Sequence, residues 1–68
     1  MKKVKNFLIT ENEDSDIINI NYIVSIENYT YTDNSGNKTN IRLKNDCNVY
    51  MKEKPIEVIN VITGKRRN

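Results

Sequence analysis

The residues best suited to chemistry in this chain are cations interleaved with an aromatic ring: Arg42, Lys44, Tyr50 and Lys52. Guanidinium and ammonium groups bind phosphates and carboxylates, and a tyrosine face stacks on a base or another ring. Tyr29 and Tyr31 can extend the same surface. Such a set fits a nucleic acid or an anionic small molecule. It equally fits an edge strand that Lys and Arg guard against aggregation. A second group is acidic: Glu11, Glu13, Asp14 and Asp16 form a candidate partner-binding loop whose carboxylates can imitate phosphates. Asn12, Asp14 and Asp16 also match the first half of a calcium loop. The match breaks where Ile17 replaces the required Gly and Ile23 replaces the required Glu. No metal or other cofactor is expected.

The inventory argues against an enzyme. The chain has no His, so Ser15, Ser25, Ser35 and Cys47 lack an imidazole base. Cys47 follows Asp46 and has no cation beside it in sequence to lower its pKa, so it reads as a buried structural thiol. One Cys excludes an intrachain disulfide and fits a reducing, cytoplasmic setting. No apolar run approaches the roughly 20 residues of a membrane span, so no membrane partner is expected.

Composition limits the core as well. The chain has 68 residues, of which 25 are apolar and none is Ala. A domain of this size buries only about 60% of its unfolded surface, and small cores usually need a staple or a partner. The net charge of +2 conceals basic ends, Lys2, Lys3 and Lys5 at one and the tail of residues 64–68 at the other, which solubilise the chain or face an acidic partner. Ile, Asn, Lys, Tyr and Phe supply 35 residues. All five have AT-rich codons, as in many bacterial and phage genes.

These side chains must be positioned by a β-rich domain. Val4 to Thr10 reads as a first strand and Ile17 to Ile20 as a second, with a corner at Asn21-Tyr22. Ile23 to Thr32 is the longest strand candidate, with Val24 and Ile26 on one face and Ile23, Tyr29 and Tyr31 on the other. Asp33 to Asn37 is the strongest turn signal. Thr39 to Lys44 alternates cleanly and returns as Asn48 to Lys52 after a turn at Asn45-Asp46. A two-residue turn would oppose Ile41 to Tyr50. A three-residue turn with a bulge opposes Leu43 to Val49 and Ile41 to Met51, which segregates apolar from polar and is favoured. Pro55 then suits a helix start and Gly64 a helix stop, with Val58, Ile59 and Ile62 as the apolar stripe; a further strand through Ile56, Val58 and Asn60 is the alternative. The expected fold is one domain, mainly β with an α element: a small antiparallel sheet or partial barrel of four to five strands with a short C-terminal helix.

Ile17, Ile18, Ile20, Ile23, Val24 and Ile26 place apolar side chains on both faces of the central strands. A helix can cover one face; a second copy of the chain would cover the other. These six are the candidate oligomer interface.

The segment order resembles the small FlbD/SwrD-type bacterial flagellar proteins. The likeness lies in Ile23-Val24-Ser25-Ile26-Glu27, in Thr39-Asn40-Ile41-Arg42-Leu43-Lys44-Asn45-Asp46, in Val49-Tyr50-Met51-Lys52-Glu53 and in Glu57-Val58-Ile59. It spans about residues 17–62, with Asp46 where the family's hairpin has Gly and an insertion at Tyr29 to Lys38. It implies a short β-rich unit ending in a helix and no catalytic residues. The expected function is a non-catalytic, regulatory, protein-binding role as a homo-oligomer. The alternatives are a nucleic-acid or nucleotide-ligand binder, and a phage- or mobile-element-encoded inhibitor of a host protein.

Overall fold

A computed structural model describes residues 1–10 and 16–64. The described residues form six short strands and one helix: β1 (Lys2–Val4), β2 (Phe7–Ile9), β3 (Ile17–Asn19), a 3-10 turn (Ile20–Tyr22), β4 (Ile23–Asn28), β5 (Thr39–Leu43), β6 (Asn48–Met51) and α1 (Pro55–Thr63). The protein is thus mainly β with a short C-terminal helix. The strands make two antiparallel three-stranded sheets, ordered β1-β2-β3 and β4-β5-β6, against the expected small antiparallel sheet or partial barrel of four to five strands.

The difference begins at Lys5-Asn6. Instead of one strand from Val4 to Thr10, a tight turn folds β1 back on β2, with Val4 opposite Phe7 and Lys5 at φ 54°. Leu8 and Ile18 then oppose each other on the inner face. The 3-10 turn links the sheets. Asn19 caps it by accepting the Asn21 N–H at 3.0 Å, and the Asn6 carbonyl accepts from Ile20 N–H at 2.8 Å.

A second irregularity decides the faces of β4. The ladder to β5 pairs Ile23 with Leu43 and then Ser25 with Arg42, so Val24 is an extra, bulged residue. One inserted residue reverses the alternation beyond it. Ile23 and Ile26 therefore share the inner face and Val24 turns outward, against the expectation that Val24 and Ile26 lie together. β4 also ends at Asn28 instead of Thr32.

The β5–β6 hairpin closes through a three-residue turn, Lys44 to Asp46. Asp46 lies at φ 63°, and Leu43 N–H donates to the Cys47 carbonyl at 2.9 Å. Ile41 opposes Val49 and Thr39 opposes Met51, two positions away from the favoured register. A slip of two preserves the faces because strand side chains repeat every second residue.

Leu8, Ile18, Ile41, Met51 and Val58 are the buried core, contributed by both sheets and the helix. Pro55 begins α1, and Gly64 ends it at φ 74° in the left-handed region. Nine helical residues do not hold a helix alone; burial of Val58, with Val61 and Ile62 packed on the core, fixes this one. Ile59 faces outward with 39% of its surface exposed, so the inward stripe is Val58, Val61 and Ile62.

Two buried hydroxyls tie the periphery down. Thr10 Oγ1 accepts from Asp16 N–H at 2.9 Å, and Thr39 Oγ1 donates to the Glu53 carbonyl at 2.5 Å. Each satisfies a polar atom that burial would otherwise penalise by about 1–3 kcal/mol.

Candidate functional site

The outer face of β4-β5-β6 carries Ser25, Glu27, Asn40, Arg42, Asn48 and Tyr50, as the alternation and the bulge require. Arg42 is committed: its Nη2 lies 3.1 Å from Glu27 Oε2, each side chain about half exposed. Ser25 donates to the same oxygen at 2.6 Å. The pair is worth at most about 1 kcal/mol in stability, yet it neutralises the cation. Lys44 lies in the turn with its Nζ 5.8 Å from the Tyr22 ring centroid, and Lys52 is exposed beyond the end of β6. Of the four predicted positions, Arg42 and Tyr50 share the outer face, Arg42 is paired with Glu27, and Lys44 and Lys52 follow the ends of β5 and β6.

Three tyrosines do converge. Tyr29 lies 5.4 Å from Tyr31 at 65° and 5.3 Å from Tyr50 at 76°, both edge-to-face contacts. Tyr29 reaches Tyr50 because its backbone N–H continues the sheet, donating to the Lys38 carbonyl at 2.9 Å. Its hydroxyl donates to the Asp33 carboxylate, whose other oxygen accepts from Ser35 N–H at 3.1 Å. The hydrogen bond from Tyr29, followed by those from Ser35, holds the Asp33 carboxyl below its ordinary value. The same bond to Asp33, with desolvation, raises the Tyr29 phenol above its own. Sequence reasoning missed Asp33 and Glu27. The Asp33-x-Ser35 spacing was the available signal, since an Asp side chain bonds the backbone two residues on.

The apolar candidates separate cleanly. Ile18 is buried, and Ile20, Ile23 and Ile26 are partly buried and pack on the core, so these four serve the fold. Ile17 and Val24 remain exposed, at 69% and 57%. Ile17 has neighbours that the sequence did not reveal. On the outer face of β1-β2-β3, Ile9 opposes Ile17, and Phe7 lies opposite Val4. Phe7 and Val4 are each nearly half exposed. Recognising the Lys5-Asn6 turn would have found them.

Of the acidic loop, Glu11, Glu13 and Asp14 lie outside the described residues. Asp16 is exposed, and its carbonyl accepts from Thr10 N–H at 3.0 Å. Among the described residues no group of three or more Cys, Asp or Glu could hold a metal ion, and no helix is long and apolar enough to cross a membrane. Cys47 is a free, exposed thiol, against its reading as buried, because it stands at the base of the hairpin turn.

No family model matches the chain, and no curated protein or solved structure is significantly similar to it. The likeness to the FlbD/SwrD-type proteins accordingly rests on the residues quoted for it.

Proposed function

We propose that this chain is a non-catalytic protein-binding module that associates with copies of itself through the outer face of its first sheet. One observation carries the reading: Val4, Phe7, Ile9 and Ile17 lie side by side on that face, with Ile17 69% exposed. An apolar cluster of this kind, here flanked by Lys2 and Asn19 on the same face, marks an interaction site more often than scattered apolar residues do.

The strength of the association follows from the area left to bury. Complete burial of a Val, Ile or Phe side chain contributes about 1.5–3 kcal/mol. About half of that remains for Val4, Phe7 and Ile17, so a symmetric pair of faces gains roughly 5–9 kcal/mol. The entropic cost of association is of the order of 4–15 kcal/mol. Self-association is therefore weak and concentration-dependent.

Sedimentation equilibrium over a wide range of protein concentrations tests this. The average mass rises above 8.0 kDa with concentration, and Phe7→Lys with Ile17→Lys abolishes the rise while leaving the far-ultraviolet circular dichroism unchanged. A constant monomer mass at every concentration would overturn the self-association.

A further inference from the structure

The second sheet carries a carboxylate, Asp33, beside the tyrosines that were expected to sit with cations alone. The sequence places Tyr29, Tyr31 and Tyr50 with Arg42, Lys44 and Lys52 as a candidate seat for phosphate. The fold instead places Asp33 against Tyr29 and commits Arg42 to Glu27. We infer that the Tyr29–Tyr31–Tyr50 cluster with Asp33 is a seat for a cationic side chain, a guanidinium or ammonium group, presented by a protein partner.

Three features support a cationic ligand. First, Tyr31 and Tyr50 meet Tyr29 edge-to-face at 65° and 76°, and ring faces are the negative side of the aromatic quadrupole. Tyr31 is 71% exposed and Tyr50 42% exposed, so those faces are open to a ligand. Second, the Asp33 carboxylate has no cationic partner among the described residues. Its contacts are the Tyr29 hydroxyl and the Ser35 N–H, both neutral donors that keep it ionised without cancelling its charge. Third, among the described residues the cation–π contact present is Lys44 over Tyr22, so no cation of the described residues stacks on the cluster.

A polyanion is disfavoured by the same features. It would meet an unpaired carboxylate, and Arg42 could serve it only by leaving Glu27. The inference concerns a different surface from the first-sheet face, and either can fail without the other.

The test is a titration followed by the tyrosine ring resonances. Tetramethylammonium chloride and an alternating Gly-Arg peptide serve as probes, and an alternating Gly-Gln peptide and a thymidine oligonucleotide serve as contrasts. The Gly-Arg peptide and tetramethylammonium should shift the rings of Tyr29, Tyr31 and Tyr50, and the Gly-Gln peptide should not. Tyr31→Leu and Tyr50→Leu should each weaken Gly-Arg binding about two- to five-fold. Asp33→Asn should weaken it as well. Tyr31 lies in an exposed loop, so its variant keeps the fold, and phenylalanine at the same position should retain binding. Equal response to the Gly-Arg and Gly-Gln peptides would overturn the inference. So would unchanged affinity in Tyr31→Leu and Asp33→Asn, or ring shifts produced by the oligonucleotide and not by the cations.

Discussion

The bulge in β4 makes a sharp prediction, because it assigns Val24 and Ile26 to opposite faces although they are two residues apart. Truncation to Ala at each position separates the two geometries. Val24→Ala removes two carbons from a residue already 57% exposed. At about 0.8 kcal/mol per buried methylene, the loss is below roughly 0.7 kcal/mol. Ile26→Ala removes three carbons from a side chain packed on the core, costing about 2 kcal/mol once the residual cavity is included. A chain of this length is stabilised by only about 3–10 kcal/mol, so the second loss is plain to see. Urea unfolding followed by far-ultraviolet circular dichroism suits a protein without Trp. With a slope near 1 kcal/mol per molar urea, the midpoint falls by roughly 2 M for Ile26→Ala and by well under 1 M for Val24→Ala. Both variants are measured at two protein concentrations, so that self-association does not enter the difference. Equal losses at the two positions, as strict alternation along β4 demands, would refute the bulge and the inner face built on it.

Four further expectations concern the turns, the loop and a buried amide. Asp46→Gly relieves a left-handed residue at φ 63° and should raise stability by about 0.5–1 kcal/mol in the same urea assay. Asn40→Val removes an Oδ1 that is buried without a hydrogen-bond partner, so it should stabilise by about 1 kcal/mol. A spectrophotometric titration should find Tyr29 ionising above the ordinary value of 10.0, and Asp33→Asn should return it. The signs follow from linkage. The Tyr29 contribution to stability is present below pH 10.0 and is lost as pH rises through the raised value. That of Asp33 is present above pH 3.8 and is lost as pH falls through the lowered one. Cys47 should react with a thiol reagent in the native protein as fast as a free exposed thiol does; protection until unfolding would contradict its placement.

Local patterns carried the parts of the fold that depend on local rules. Ile41 and Leu43 alternate with Asn40 and Arg42, and the β5–β6 hairpin formed with its apolar face inward. Pro55 and Gly64 bracket α1 because one tolerates a helix start and the other a left-handed exit. The register slipped by two unnoticed, since such a slip leaves every side chain on its own face. The Lys5-Asn6 turn was hidden because a lysine, without any Gly, supplies the positive φ. The Val24 bulge was hidden because a run of Ile and Val does not state which member is extra. That single residue puts Ile23 and Ile26 on one face, packed against the core. The tyrosine cluster was legible as a group. Its charge was not, because Glu27 reaches Arg42 across two strands and Asp33 reaches Tyr29 through the fold of a loop.

The claim that the first-sheet face joins copies of the chain is tested most directly by isotope-filtered nuclear Overhauser spectra of a concentrated, equimolar mixture of labelled and unlabelled protein. Intermolecular contacts between the Phe7 ring and the methyl groups of Val4, Ile9 and Ile17 are the expected result. Intermolecular contacts confined to Ile56 and Ile59 on the outer side of the helix, or none at any concentration, would contradict it.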